Sequence, residues 1–219
     1  MSESSPKLSH SEAPNLVVVI HGWSGHRLFM LPICWKLKRA GFRVKQFGYR
    51  SLLWSVETHA KRFGQFLRQL DDDPANESFH IVAHSMGGIV TRTALLDLKS
   101  SNQELKKLKR IVMLAVPNHG SPVAKVLGAI FPFCKTLRQL SDQEDGFIRK
   151  LEPPDKDLNI GVIAASYDFV VPKHSSHLEN ETDHITLFSG HNGVLVRPVV
   201  GRRIVEFLKQ GQFVRRSNS

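Results

Sequence analysis

The chain alternates short apolar runs with longer segments in which apolar residues recur every three to four positions. Leu16-Val17-Val18-Val19-Ile20 is unbroken and β-branched, the pattern of a strand buried on both faces. Further strands are predicted at Phe42–Phe47, Phe79–Ala83, Leu108–Val116, Asn159–Ala165 and Ile185–Phe188. Helical patterns lie between them. Phe29–Arg39 reads as a helix stopped by Gly41. Val56–Leu70 places Phe63, Phe66, Leu67 and Leu70 on one face, and Asp71-Asp72-Asp73-Pro74 closes it. A helix is predicted from Gly87 to Leu98, and a last one carries Val200, Ile204, Phe207 and Leu208 on one stripe. Residues 1–14 read as a polar arm, and 121–158 as a cap-like insertion of short helical pieces without a strand.

Six strands alternating with helices predict an α/β fold in one domain over residues 1–219. The sheet is doubly wound, six-stranded and mainly parallel, with the small insertion after the fourth strand. Open sheets of this kind build their sites at the carboxyl ends of the strands. His21, Ser85, Asn118, Asp168 and His191 all fall at such ends.

Ser85 stands where the run Phe79–Ala83 stops and a helical pattern starts. Ala83 and Gly87, two positions to either side, are small. A tight strand-to-helix turn crowds those two positions and lifts the serine hydroxyl above the sheet, the pattern of a nucleophile elbow with Ala in place of the first Gly. A neutral hydroxyl is a weak nucleophile, so an imidazole must take its proton. A carboxylate on the other ring nitrogen then fixes the tautomer. Asp168 and His191 follow Ser85 in that order, each just past a predicted strand. His84, His119 and His184 compete with His191. His84 lies beside the serine and cannot easily turn its ring onto it, which suits packing or hydrogen bonding. Asp183 competes with Asp168, but it precedes the last strand and so enters at the opposite edge of the sheet. The backbone amides of Met86 and of Trp23, in the His21-Gly22-Trp23 loop, are the candidate oxyanion donors. His21 itself reads as a structural hydrogen-bonder to that loop. Phe131, Phe133 and Phe147 suit an acyl pocket and an ordinary core equally well.

Charge changes the picture only in part. The formal net charge is +10, which could draw nucleic acid, anionic membrane or an acidic substrate. There is no zinc-finger, RNP or basic-zipper pattern, so no nucleic-acid partner is expected, while peripheral contact with anionic lipid stays open. No apolar run is long enough for a transmembrane helix. The first residues, Met1 to Pro6, lack the apolar stretch of a secretory signal. Cys34 and Cys134 read as free buried thiols, and together these features predict a cytoplasmic protein. His174, His177, Asp183 and His184 follow no firm metal-binding spacing, so no metal and no cofactor are expected.

Ala83-His84-Ser85-Met86-Gly87-Gly88 and His21-Gly22-Trp23 resemble small bacterial lipases and esterases of the α/β-hydrolase superfamily. Pro117-Asn118-His119-Gly120-Ser121-Pro122 is similar to the turn after their following strand. Tyr167-Asp168-Phe169-Val170-Val171-Pro172 is similar to their acid loop, with Phe169 in place of the usual Gly, and Gly190-His191-Asn192-Gly193 is similar to their histidine loop. The resemblance runs from about residue 16 to residue 213. It implies the α/β-hydrolase fold, a serine hydrolase acting on a small acyl ester, and a Ser85–Asp168–His191 triad. A thioesterase, amidase or acyltransferase would use the same triad. A non-catalytic binding protein on this fold would be expected to have lost it. The resemblance assigns no substrate-binding residue.

Overall fold

The computed structural model describes residues 15–23, 27–130, 133–141 and 146–214. The strands are β1 (Leu16–Ile20), β2 (Arg43–Phe47), β3 (Phe79–His84), β4 (Leu108–Leu114), β5 (Asn159–Ala165) and β6 (Asp183–Leu187). The helices are α1 (Leu31–Arg39), α2 (Val56–Asp72), α3 (Met86–Ser100), α4 (Pro122–Ile130), α5 (Lys135–Gln139), α6 (Lys173–Ser176) and α7 (Pro198–Gln210). The six strands form one sheet in the order β2-β1-β3-β4-β5-β6. Every neighbouring pair is parallel, so the expectation of a mainly parallel sheet is met in full.

The period-two alternation of side chains sorts the strand residues between two cores. Val18, Ile81, Ile111, Met113 and Val162 face α2 and α3 through Phe63, Leu67, Ile89 and Val90. Val17, Val19, Val82, Val112 and Ile163 face α1 and α7 through Ile33, Leu37, Ile204 and Phe207. Both faces are covered, which is why the central strands read as continuous apolar runs. The 121–158 stretch contributes to the first of these cores, where Ala124, Leu137, Leu140 and Ile148 are buried. It is also tied to the loop after β2, because Thr136 Oγ1 donates to the Trp54 carbonyl at 2.7 Å. Phe147 packs against that core, Phe133 is exposed, and Phe131 lies outside the described residues. No described helix is long and apolar enough to cross a membrane.

One boundary differs from the sequence reading in a way that matters for the site. The last strand begins at Asp183, not Ile185, and ends at Leu187. Asp183 pairs with Gly161, and its carboxylate accepts the Phe213 N–H at 2.8 Å. The strand thus starts on a charged residue because the chain after α7 supplies it with a donor. That partner lies 30 residues away, beyond the reach of local pattern.

Three buried histidines make the fold acid-sensitive. Burial, aided by neighbouring cationic groups, pushes His59 and His80 down to about 4 and His84 down to about 3. The unfolded chain takes up these protons near the ordinary histidine value of about 6.5, whereas the folded chain does not. The stability they represent is complete above about pH 6.5 and is lost as pH falls towards about 4. Each such group can cost up to ~1.4 kcal/mol per pH unit in that window. The urea midpoint should therefore fall steeply between pH 6.5 and 4.5; a constant midpoint across that range would contradict neutral burial of these rings.

Candidate active site

Ser85 lies between the last residue of β3 and the first residue of α3. Its backbone is at φ 52° and ψ −128°, a conformation that costs a non-glycine residue about 1–3 kcal/mol. The turn is held from both sides. The Ser85 N–H donates to the Leu114 carbonyl at the end of β4, and the Gly88 N–H donates to the Ser85 carbonyl, both at 2.9 Å.

Glycine at 87 and at 22 is required by the close approach of the chain at the end of β1 to the turn. A Cβ on Gly87 would sit 2.6 Å from the His21 carbonyl oxygen and 2.9 Å from that of Ile20. A Cβ on Gly22 would sit 2.8 Å from the Ser85 Cβ. The loop after β1 is therefore pressed directly onto the turn. This close approach by itself demands glycine at 87.

The Ser85 hydroxyl lies 2.9 Å from Nε2 of His191, and Nδ1 of His191 lies 2.8 Å from Oδ2 of Asp168. Asp168 sits on the loop leaving β5 and His191 on the loop leaving β6, so the three side chains meet at the carboxyl edge. The Asp168 side chain is only 1% exposed. Its second oxygen accepts the N–H groups of Val170 at 2.9 Å and Val171 at 2.8 Å. These two amides were not singled out from the sequence. An aspartate that caps its own following turn is a known local pattern, and Asp168-Phe169-Val170-Val171 fits it. Residue 169 is not among the positive-φ positions, so phenylalanine replaces glycine there without backbone strain.

His84 is buried beside the serine. Its Nε2–H donates to the His191 carbonyl at 3.2 Å, tying the loop after β6 to the turn. Desolvation, then the nearby His191, holds its pKa down at about 3, so it carries no charge into the site near neutral pH.

His21 supports the β1 loop. Its Nε2 accepts the Tyr49 N–H at 3.4 Å and its Nδ1 lies 2.9 Å from the Gly22 carbonyl. The Tyr49 hydroxyl donates to the His21 carbonyl at 2.7 Å, and the two rings stack at 4.4 Å. Burial pushes the Tyr49 phenol well above its usual range, so it remains a donor. Tyr49 had no signature in the sequence, being a lone aromatic after β2. Met86 opens α3, where the first amides of a helix lack intrahelical acceptors. Trp23 follows the glycine that touches Ser85. The two candidate oxyanion amides therefore belong to segments that meet at the serine.

The other candidates are drawn elsewhere. Asn118 is buried and ties β4 to α6 by donating to the Ser176 carbonyl at 2.8 Å, while Arg92 donates to its backbone and side-chain oxygens. The His119 N–H donates to the Ser175 carbonyl at 3.0 Å. His177 and His184 come together around Glu181, a residue the sequence reading did not include. Their Nδ1 atoms lie 2.9 and 3.1 Å from its Oε1, and the rings stack at 3.9 Å and 15°. The ligand atoms of these three side chains lie within 4.8 Å of one another, and the shared carboxylate holds both imidazoles in place. Cys34 is buried, accepts from Gln46 Nε2 at 3.0 Å, and its thiol pKa is pushed up by burial; Cys134 is also free but only half-buried at the margin of the first core, not buried as its apolar neighbours suggested.

A parallel, doubly covered sheet with a serine on a strained strand-to-helix turn, and an imidazole and carboxylate arriving from the next strand ends, is the architecture of an α/β hydrolase. Residues 42–192 match the model of a family described as "Alpha/beta hydrolase of unknown function (DUF900)", and the chain belongs to that family. No curated protein sequence matches it. Among solved structures it is similar to Bacillus licheniformis lipase BlEst2 in mature form, with TM-score 0.70 and 13% identity over 95% of this chain and 96% of that one. Aspergillus fumigatus lipase B gives TM-score 0.72 and 15% identity over 92% of this chain and 54% of its own. The RedJ thioesterase from Streptomyces coelicolor gives TM-score 0.59 and 13% identity over 96% and 91%. At these identities the likeness is one of fold.

Proposed function

We propose that this protein is a serine hydrolase that cleaves carboxylic esters through an acyl-enzyme. The observation that carries the reading is the unbroken hydrogen-bonded chain from Ser85 through His191 to Asp168, at 2.9 and 2.8 Å. Ser85 Oγ attacks the ester carbonyl while its proton passes to Nε2 of His191. Asp168 holds the ring in the tautomer that leaves Nε2 free to accept, and stabilises the imidazolium that forms. The amides of Met86 and Trp23 donate to the oxyanion, each worth about 2.7–4 kcal/mol in the transition state. His191 then gives its proton to the leaving alkoxide. Water activated by the same imidazole releases the acid and restores Ser85. This sequence of steps needs no cofactor. The two free thiols support a cytoplasmic location.

A fluorophosphonate probe tests the chemistry without knowledge of the natural substrate. It should label the folded chain once, with the adduct mapped to Ser85 by mass spectrometry. Activated esters should then turn over faster than matched amides. Failure of the folded protein to react at Ser85 would remove the nucleophile and return the chain to a binding role on this fold. Preferential turnover of a matched thioester would move it to the thioesterases.

A further inference from the structure

Because all six strands run parallel, the loops fall into two groups that meet solvent on opposite edges of the sheet. The edge that bears Ser85 is unusually apolar. Phe29, Leu52, Leu53, Phe133, Phe169 and Phe188 are exposed there, on segments that follow β1, β2, β4, β5 and β6. Phe133 is 98% and Phe169 87% exposed. The loops that feed the strands at the other edge, 40–42, 73–78, 101–107, 151–158 and 177–182, expose no large apolar side chain among the described residues.

Charge divides the same way. In segments 21–30, 48–55, 115–141, 166–176 and 188–197, every charged residue is lysine or arginine except Asp168. That carboxylate is shielded and bound to His191. The acids at 142, 144 and 145 lie outside the described residues. Acids gather instead on the opposite loops, among them Asp73, Glu77, Glu104, Asp155 and Glu179.

We propose that the carboxyl edge docks on an anionic phospholipid surface. Its aromatic and leucine side chains enter the headgroup layer, and Arg27, Arg50, Lys125 and Arg197 face the lipid phosphates. A large apolar patch on one edge needs a cover. Scattered anchors on five separate segments, with basic residues between them, match a deformable anionic surface. A nucleic acid would be met by a basic track, for which six protruding apolar side chains are a poor lining. Docking does not depend on the proposed chemistry; where that chemistry holds, docking turns Ser85 towards the ester bonds of the lipid.

The full chain carrying Ser85→Ala, which cannot consume the lipid by the proposed route, should be sedimented with vesicles. Phosphatidylcholine alone is compared with a phosphatidylcholine–phosphatidylglycerol mixture. Binding to the mixture, weakened by added salt, is expected. Phe133→Ser with Phe169→Ser should weaken it about tenfold or more. Both side chains are exposed, so this variant should unfold at the parent's urea midpoint. No binding to the mixture, equal binding to the neutral vesicles, or indifference to the double substitution would each overturn the proposal. So would a dimer in sedimentation velocity that the double substitution converts to monomer, which would assign the face to a second copy of the chain.

Discussion

Ser85→Ala is expected to fold like the parent chain and to lower kcat on an activated ester by about 10⁶-fold, because members of a triad act as a unit. The folding half of this expectation comes from the backbone. Alanine at φ 52° bears the same strain as serine, and the two hydrogen bonds that hold the turn, to Leu114 and from Gly88, use backbone atoms only. The serine side chain contributes one part-buried hydrogen bond, to His191. Stability should therefore change by less than about 1.5 kcal/mol. Ser85→Gly provides a control. It should be equally inactive yet more stable, since glycine accepts this conformation without the side-chain penalty. The measurements are kcat and urea midpoint for both variants. Retained turnover in the folded alanine variant would show that another group performs the attack.

The parts of the site that were legible in the sequence depend on local pattern and chain order. The β-branched run at Leu16–Ile20 is readable because a strand covered on both faces has no polar period to obscure it. Ser85 stood out because a strand end, a tight turn and a helix start fall within a few residues. Asp168 and His191 followed from their places after β5 and β6. What stayed hidden was fixed by distant partners. Gly87 is small because β1, more than sixty residues earlier, lies against it. Tyr49 matters only because β2 sets it beside His21. Glu181 is a local exception, four residues after His177 and three before His184, in a segment with no regular period to bring the three together. Phe133 could not be told from a core residue, because apolarity alone does not say whether anything covers it.

Asp168→Asn should lower kcat by about 10⁴-fold, and Asp183→Asn should leave it nearly unchanged. The geometry around Asp168 explains why so conservative a change is so costly. One carboxylate oxygen accepts the Val170 and Val171 amides, and the other faces Nδ1 of His191. An asparagine must keep its oxygen towards the two loop amides, which can only donate. Its NH₂ group then faces His191. The ring can meet that donor only with a bare Nδ1, which puts its proton on Nε2, against Ser85. The base is lost although every heavy atom can stay in place. Asp183 has no such route to the chemistry. It is the first residue of β6, paired with Gly161 at the amino edge. Four residues of strand, about 13 Å, separate it from Leu187 at the other edge, beyond the span of a side chain. Its carboxylate holds the Phe213 amide, so its asparagine variant should show a stability loss of at most about 1–2 kcal/mol with activity retained. Both variants are compared by kcat on one activated ester, with folding checked by circular dichroism and urea midpoint. A crippled Asp183→Asn beside a near-normal Asp168→Asn would place the triad acid at Asp183 and overturn the assignment drawn from the Asp168 contacts.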